Sequence, residues 1–443
     1  MRAMVREGMN MARLNFSHGT HANHAILIRH IRSVGHALGE PLGILGDLQG
    51  PKIRLGVLPE AGVAIKTGST VSLTTSTQSY REGFLPVTYK DLHKDVKVGH
   101  RILIDDGLLE VLVREVKGST IRAKVIHGGR VTSHKGMNFP DSRLRVSAIT
   151  AKDKEDIIFG VKQGVDWMAL SFVTQAKDVR ALRALIKRAG KRGQILPRIM
   201  VKIEKHESVD EFDEILKETD GVMIARGDLG IEIPAEQIPV YQKEMIEKCR
   251  LEGKPVIVAT QMLNSMIEQP RPTRAEVSDV ANAVFDHTDA VMLSGESASG
   301  HYPVEAVRFM RKIIEEAEAS PFDDIPPSRD PLEALPQATA HTLKDLALGG
   351  HIEGVVALQE VGLWTETLLL ARPEVPLHLA VDSQTLAGQN NLRWGVRPFV
   401  LSAPSVQKAL AWLKRRHFLR RGAHVAVVAG KNTSKRVDVV EVK

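Results

Sequence analysis

The stretch RIMVKIEKHES, residues 198–208, has the pattern of a buried strand that carries two opposite charges. Side chains alternate between the two faces of an extended chain, so Met200, Lys202 and Glu204 share one face. Lys202 and Glu204 then lie roughly 7 Å apart. They could face water at a sheet edge, form a purely structural ion pair, or belong to a functional site. The rest of the chain must decide among these three interpretations.

Composition is typical of a soluble globular protein with several domains, since the chain has 443 residues, 43% hydrophobic and 26% charged. The formal net charge of +7 raises the question of an anionic partner. Lys and Arg cluster only in 180–193 and 413–422, where apolar residues recur at helical spacing without interleaved aromatic residues. Solvated helix faces are the simpler interpretation, and we expect no nucleic-acid partner.

Cysteine usage and hydropathy indicate a cytoplasmic protein. Cys249 is the single cysteine, which excludes an intrachain disulfide and a cysteine-rich metal site and fits a reducing compartment. The chain has no apolar run long enough to span a bilayer and no signal-peptide pattern at its start. We therefore expect no membrane partner.

Seven segments share one pattern, in which a short apolar strand is followed by a polar or glycine-bearing turn and then by a helical period. They are residues 11–19, 42–50, 165–173, 199–205, 221–230, 255–262 and 290–297. Strands that alternate with helices in so long a series predict a parallel α/β barrel of the TIM type. A closed barrel of eight strands needs one strand more than the sequence offers.

The remaining regions have other residue patterns, and these patterns predict the domain boundaries. Residues 50–140 contain short β-rich runs separated by turn signals, which predicts a β domain inserted between barrel segments 1–49 and 141–320. Residues 321–336 are rich in Pro and acidic residues and are predicted to be a linker. Residues 337–443 alternate strands with helices and predict a smaller α/β domain.

Polar residues collect at the predicted strand ends, where barrel enzymes carry their chemistry. These residues are Arg13, Asn15, Ser17, Asp47, Lys202, Glu204, Arg226, Asp228, Thr260, Ser294 and Glu296. The carboxylates of Glu204 and Asp228 could hold Mg²⁺ together with several waters and a phosphate. Lys202 beside that ion would then neutralise a phosphoryl group. The residues alone predict Mg²⁺-dependent chemistry on a phosphorylated or carboxylated small molecule.

Several long motifs together resemble the pyruvate kinase family over nearly the whole chain and in the same order. They include GMNMARLNFSHGTHANH, GDLQGPKIRLG, SHKGMNFP, VKIEKHESV, ARGDLGIEIP, ATQMLNSMIEQPRPTRAEVSDVANAV and DAVMLSGESASGHYPVEAV. The resemblance implies phosphoryl transfer from phosphoenolpyruvate to ADP, giving pyruvate and ATP. It also implies a barrel with a mobile β lid, a C-terminal regulatory domain and a homotetramer.

The resemblance also implies a role for individual residues. Lys202, Thr260, Arg13 and Arg54 match the catalytic positions; Lys202 is expected to stabilise the transferred phosphoryl group, and Thr260 is associated with proton delivery. Glu204 and Asp228 match the ligands of Mg²⁺ (or Mn²⁺). Substrate binding is expected from Arg226, Gly227, Asp228 and Thr260, and nucleotide binding from Arg54, Lys135 and His18. Ser294 and Glu296 match positions that support the site.

One departure from the family pattern concerns a monovalent cation. Most members hold K⁺ near the positions of Asn15, Ser17 and Asp47, and their next residues read Thr-Lys-Gly-Pro-Glu. This chain has Leu48 after the aspartate and Lys52 in place of that glutamate. A lysine ammonium can supply the positive charge of K⁺, so we expect a K⁺-independent enzyme. A harmless surface change is the alternative.

A second departure is the start of the chain, which lies inside the helix that follows the family's first strand. An open barrel exposes two strand edges, so we expect reduced stability. Two other functions remain open from the residues: a non-catalytic relative, and another Mg²⁺-dependent barrel enzyme acting on phosphoenolpyruvate or pyruvate. For regulation, residues 358–367 and 430–436 are the regions to compare with the family's effector loop, and they predict no particular effector.

Overall fold

The computed structural model describes residues 1–323, 335–359, 368–430 and 436–443. Most of the predicted linker, most of the 358–367 region and residues 431–435 lie outside the described residues.

The centre of the molecule is a parallel sheet that has seven strands in the described part of the chain. In spatial order, which is also chain order, the strands are Met11–Asn15, Gly43–Asp47, Trp167–Leu170, Arg198–Ile203, Gly221–Ala225, Val256–Ala259 and Ala290–Met292. Each of the seven predicted segments overlaps one of them, which confirms the predicted strands.

Side chains alternate between the two faces of these strands and therefore pack into two separate cores. One buried cluster takes side chains from all seven strands, including Met11 of the first strand and Met292 of the last. Because the outermost strands contribute to one interior cluster, the sheet is curled around it. The intervening side chains, such as Ile199 and Val201, face the opposite way and pack into the larger cluster. Met200 lies in the interior cluster, as the alternation predicts for the face that carries Lys202.

Helices follow the strands and cover the outer face of the sheet. They are Arg2–Arg6, His21–Leu38, Ala151–Gln163, Ala176–Ala189, His206–Asp210, Phe212–Glu218, Arg226–Glu232, Ile238–Leu251, Arg274–Phe285, Gly295–Ala298 and Pro303–Glu318. Two of them begin with reciprocal caps, in which Thr150 pairs with Asp153 and Thr273 pairs with Glu276. These caps use backbone N–H groups that have no partner within the helix, so the sequence sets both helix starts.

Residues 50–140 contribute antiparallel β structure on the C-terminal side of the second barrel strand. Their strands are Val63–Ile65, Thr70–Thr74, Phe84–Pro86, Arg101–Ile104, Leu109–Lys117, Thr120–His127, Gly129–Val131 and Met137–Asn138, with one helix at Leu92–Asp95. Their apolar side chains form a separate buried cluster. We call this region the lid; its boundaries stay a prediction.

The C-terminal region contains a five-stranded sheet flanked by helices. Its helices are Leu335–Leu348, Gln384–Asn390 and Val406–Arg415, and its strands are Val396–Val400, Leu377–Val381, Val355–Leu358, His424–Ala429 and Arg436–Glu441 in spatial order. The first four run parallel and the last is antiparallel, an edge strand that the sequence reading did not predict. The fold class is therefore confirmed as α/β.

This region closes one end of the barrel sheet. Leu392 is 2% exposed and belongs to the interior cluster of the sheet. The Trp167 indole N–H donates to Gln389 O at 3.2 Å, and Asn391 receives a hydrogen bond from Asn10 at its backbone carbonyl. The contacts lie at the amino ends of the strands, so the carboxyl ends stay open toward the lid. In the described ranges, the model contains no helix long and apolar enough to span a membrane.

Candidate active site

Lys202 lies in a buried cluster of charges at the carboxyl end of its strand. Its ammonium nitrogen is 2.7 Å from Glu204 Oε1 and 3.5 Å from Asp47 Oδ2, and it donates to Ser171 Oγ at 3.0 Å. The strand ends at Ile203, so Glu204 begins the loop that follows. The two charges of the opening stretch therefore pair with each other, and a third charge, from Asp47 two strands away in the sheet, joins them.

The ionisation of this cluster follows from its burial. The Lys202 side chain is 11% exposed and those of Asp47 and Glu204 are 1% exposed. Burial opposes the charge on Lys202, but Asp47 and Glu204 raise its pKa above the ordinary value. Lys202 is thus a permanent cation at neutral pH. Such a cation stabilises a developing negative charge more strongly in a dry site than in water.

Arg13 completes the cluster. Its Nε donates to Asp47 Oδ2 at 2.7 Å and its Nη2 lies 2.5 Å from the same oxygen. Asp47 is therefore shared between two cations, and the group carries two positive and two negative charges. An arginine held this way is fixed in place before a substrate arrives.

The donors at Glu204 and Asp228 fit a hard divalent cation. Burial raises the pKa of Glu204, Lys202 opposes that rise, and the nearby charge of Asp228 adds to it. Glu204 Oε2 accepts the Phe172 N–H at 2.8 Å, while its buried Oε1 makes no geometrically satisfactory hydrogen bond in the described structure. A cation would relieve both the carboxylate repulsion and the burial cost, and oxygen-only donors suit Mg²⁺.

Arg226 and Thr260 hold the start of the helix that carries Asp228. Arg226 forms a bidentate contact with Asp279, with both nitrogen–oxygen distances at 2.6 Å. It also donates to Thr260 O at 3.0 Å, and the Gly227 N–H donates to Thr260 Oγ1 at 2.7 Å. Thr260 has a φ of +72°, a conformation that a β-branched residue adopts only when its surroundings impose it.

A cleft of about 560 Å³ lies between the barrel and the lid beside these groups. Its walls include Asp228 and Lys205 from the barrel side, and Lys52 and Asn138 from the lid side. Apolar walls with a few charged groups are the usual composition of a small-molecule site. The cleft is therefore the candidate substrate site.

The structure places the predicted nucleotide-binding residues apart from this cluster. Arg54 is half-buried and donates to His134 O at 2.8 Å. Lys135 forms an ion pair with Asp105 at 2.8 Å, within the lid. His18 is exposed at the turn after the first barrel strand, where its carbonyl accepts from His24. None of the three contacts Lys202 or Glu204 among the described hydrogen bonds and ion pairs.

Two of the predicted monovalent-cation residues, Asn15 and Asp47, are paired at the ends of adjacent strands. Asn15 Oδ1 accepts the Ser17 N–H at 3.1 Å, and Leu48 is 1% exposed. Asp47 is occupied by Arg13 and Lys202 as described above. Lys52 lines the cleft and forms no ion pair within 4 Å in the described part of the chain.

The sequence reading missed three contributors. Ser171 and Phe172 bind Lys202 and Glu204 from the neighbouring strand end, and Asp279 holds Arg226 from a helix. Asp279 lies within one of the quoted motifs, so its segment was singled out without a role for this residue. Ser294 and Glu296 bind each other, since the Ser294 N–H donates to Glu296 at 2.7 Å, and the Leu263 N–H donates to the same carboxylate.

The curled parallel sheet, with its charged cluster and cleft at the carboxyl ends of the strands, defines an α/β-barrel enzyme. The family described as "Pyruvate kinase, barrel domain" matches residues 1–307. Pyruvate kinase 2 of Synechocystis sp. is 43% identical over 456 aligned positions, which cover 100% of this chain and 76% of the relative. The pyruvate kinase of Clostridium acetobutylicum is 39% identical, with 98% and 93% covered, and that of Sporosarcina psychrophila is 41% identical, with 96% and 74% covered. The chain belongs to the pyruvate kinase family and is a phosphotransferase.

Proposed function

We propose that the chain transfers the phosphoryl group of phosphoenolpyruvate to ADP, giving pyruvate and ATP, with Lys202 as the central catalytic residue. The observation that carries this proposal is the buried ammonium of Lys202, held between Asp47 and Glu204 beside the cleft. Phosphoryl transfer needs positioning and charge neutralisation more than covalent help. A fixed, desolvated cation at this place supplies the neutralisation.

Glu204 and Asp228 would hold Mg²⁺ or Mn²⁺, which supplies further charge neutralisation at the phosphoryl and carboxylate oxygens. Arg13, already fixed on Asp47, is positioned to hold the transferred group. Arg226 is engaged by Asp279, so we assign it a positioning role: it holds Gly227 and Asp228 where the substrate carboxylate would bind. Thr260, whose hydroxyl donates to Ala259 O at 2.5 Å, is the proposed route for the proton that completes pyruvate.

The lid is proposed to bring the nucleotide residues to the cleft. Lys135 would exchange Asp105 for the phosphates of ADP, and Arg54 and His18 would contact the same nucleotide. A lid that closes over the cleft also excludes water, which would otherwise compete with ADP as acceptor. We further propose a cytoplasmic homotetramer; the buried, reduced Cys249 fits the compartment.

The test of the reaction is pyruvate formation from phosphoenolpyruvate, ADP and Mg²⁺. Release of pyruvate with one ATP per turnover supports the proposal. Binding of phosphoenolpyruvate without turnover indicates a non-catalytic relative, and consumption of phosphoenolpyruvate without ATP indicates another barrel chemistry. Each of the last two outcomes rejects the proposal.

K⁺ independence is a separate proposal, supported by Lys52 in the wall of the cleft. We expect turnover to change less than about twofold when K⁺ is replaced by tetramethylammonium. Lys52→Glu should make turnover depend on K⁺, since the variant loses the built-in cation. Lys97→Glu, an exposed change in the lid, is the matched control. A parent enzyme that needs K⁺ would reject this proposal and leave the reaction itself untouched.

A further inference from the structure

A second group of metal-ligating side chains lies beside the candidate active site. His206 and Glu207 begin the helix His206–Asp210, and Glu232 ends the helix Arg226–Glu232. Each offers one ligand atom, and these atoms lie within 4.8 Å of one another. Among the described residues, no other group of three or more His, Cys, Asp or Glu side chains meets this criterion.

The three atoms are spaced as ligands around one ion. His206 Nδ1 is 3.2 Å from Glu207 Oε2 and 3.5 Å from Glu232 Oε2. Ligands at about 2.0–2.2 Å around a tetrahedral ion are separated by roughly 3.3 Å. All three atoms are buried, and none makes a hydrogen bond of acceptable geometry in the described structure. Buried polar atoms seldom stay unpaired, so these three point to a missing common partner.

Neighbouring groups hold Glu232 in the orientation that a metal ligand needs. Its Oε1 accepts from Lys205 Nζ and from Asn138 Nδ2, both at 2.9 Å. Oε2 is thereby left to face His206 and Glu207. Outer hydrogen bonds that fix one carboxylate oxygen and leave the other free are typical of metal sites.

We propose that His206, Glu207 and Glu232 bind one divalent transition-metal ion, distinct from the ion of Glu204 and Asp228. One imidazole nitrogen with two carboxylates favours Zn²⁺, Co²⁺ or Mn²⁺ over Mg²⁺, which prefers oxygen donors alone. Glu207 also lines the cleft. Glu232 lies one helical turn, about 6 Å of rise, beyond Asp228. The inference does not depend on the proposed reaction.

The site would also connect the barrel to the lid. Asn138 belongs to the last lid strand, Met137–Asn138, and its hydrogen bond to Glu232 crosses from the lid to the barrel. An ion bound to the opposite oxygen of Glu232 would fix the acceptor of that bond. Occupancy is therefore expected to stabilise the base of the lid.

Cobalt(II) is a suitable probe, because its visible absorption and X-ray absorption report nitrogen ligation. The full chain, stripped of metal, is titrated with Co²⁺ in millimolar Mg²⁺, which occupies the oxygen-only site. We expect one tightly bound Co²⁺ per chain with one imidazole ligand. His206→Ala should weaken binding at least about 100-fold, more than the loss of an outer-shell group causes. Glu207→Gln should also weaken it, and Glu204→Gln should retain it.

The matched control is His301→Ala, since His301 forms a similar pair with Glu268 but both side chains are 69% exposed. It should bind Co²⁺ as the parent does. Thermal midpoints check that each variant is folded. If the parent shows no nitrogen-ligated Co²⁺, the proposal is overturned. A protonated His206 between two carboxylates would then explain the cluster. Equal binding by folded His206→Ala, or loss of binding in Glu204→Gln alone, overturns it as well.

Discussion

The two ends of the barrel sheet use carboxylates in opposite ways. At the amino ends, Asp166, Asp220 and Asp289 each stand just before a strand. Each accepts a backbone N–H near the start of the neighbouring strand: Ile44, Ile199 and Val256 donate at 2.7, 2.7 and 3.0 Å respectively. These aspartates therefore fix the register between adjacent strands, and their oxygens serve as acceptors for backbone N–H groups.

Side-chain cations complete the partners of two of these aspartates. Arg32 donates to both oxygens of Asp166, at 2.9 and 3.0 Å, and Arg183 donates to both oxygens of Asp220, at 3.0 and 3.1 Å. At the carboxyl ends, Glu204 and Asp47 are held mainly by other functional side chains. Phe172, which donates to Glu204, lines the cleft. The buried Oε1 of Glu204 lies 2.7 Å from Lys202 Nζ but makes no hydrogen bond of satisfactory geometry in the described structure.

The difference separates stability from chemistry within one sheet. A carboxylate that binds backbone groups cannot exchange them without loosening the strands. A carboxylate whose partners are side chains can exchange one of them for a metal ion during a reaction. Barrel folds commonly divide their two ends in this way. Substitutions at opposite ends of the same strand should therefore have different effects.

The largest expected effect is at the carboxyl end. Lys202→Met removes the buried cation, and we expect kcat for pyruvate formation to fall about 10²–10³-fold. Lys217→Met, an exposed lysine paired with Glu214, is the control and should keep parental turnover. Steady-state kinetics at saturating phosphoenolpyruvate and ADP measure both. If Lys202→Met stayed within threefold of the parent, the carboxyl-end cluster would not be the catalytic end.

Asp166 should make the unfolding free energy depend on pH. Burial raises the pKa of Asp166 to about 6 from an ordinary value of 3.8, although Arg32 opposes this rise. The folded state therefore holds the proton more tightly, and the stability due to Asp166 is fully present below about pH 4 and is lost as pH rises through 6. Relative to Asp166→Asn, which does not titrate, the parent should lose at most about 3 kcal/mol of unfolding free energy over that range.

Urea unfolding of both proteins between pH 4 and 7 measures this difference, and every other titrating group cancels in it. Asp213→Asn, an exposed carboxylate in the same part of the chain, should show a flat difference from the parent. A constant difference between the parent and Asp166→Asn would mean that Arg32 and Ile44 keep Asp166 ionised in the folded state at pH 4.

The smallest expected effect is at the amino end of the strand that carries Lys202. Asp220→Ala leaves the Ile199 N–H without its acceptor and Arg183 with only the Glu218 carbonyl, which should cost about 1–2 kcal/mol of unfolding free energy. Turnover of the folded protein should stay within twofold of the parent. Asp210→Ala, which breaks an exposed pair with Arg143, is the control for stability. A fall in kcat comparable with that of Lys202→Met would erase the distinction between the two ends.

Local patterns predicted much of the fold and part of the site. Apolar runs of strand length predicted all seven barrel strands, and alternation placed Met200 and Lys202 on the same face. The same reasoning failed at the C-terminal edge, because Arg436–Glu441 is a half-exposed antiparallel strand without a continuous apolar run. The nucleotide contacts of Arg54, Lys135 and His18 came from the family resemblance and not from a local pattern, and they stay a prediction.

The sequence by itself determined the strands, the helix caps and which charges stand at the strand ends, because these depend on neighbours a few residues apart. Only the tertiary structure decided how those charges pair. Asp47 is shared by Arg13 and Lys202, Arg226 is held by Asp279, and His206 meets Glu232 across two helices. These partners lie on different strands and helices, and the distance between them is set by the curl of the sheet. That curl arises from packing around one interior cluster, which no local pattern encodes.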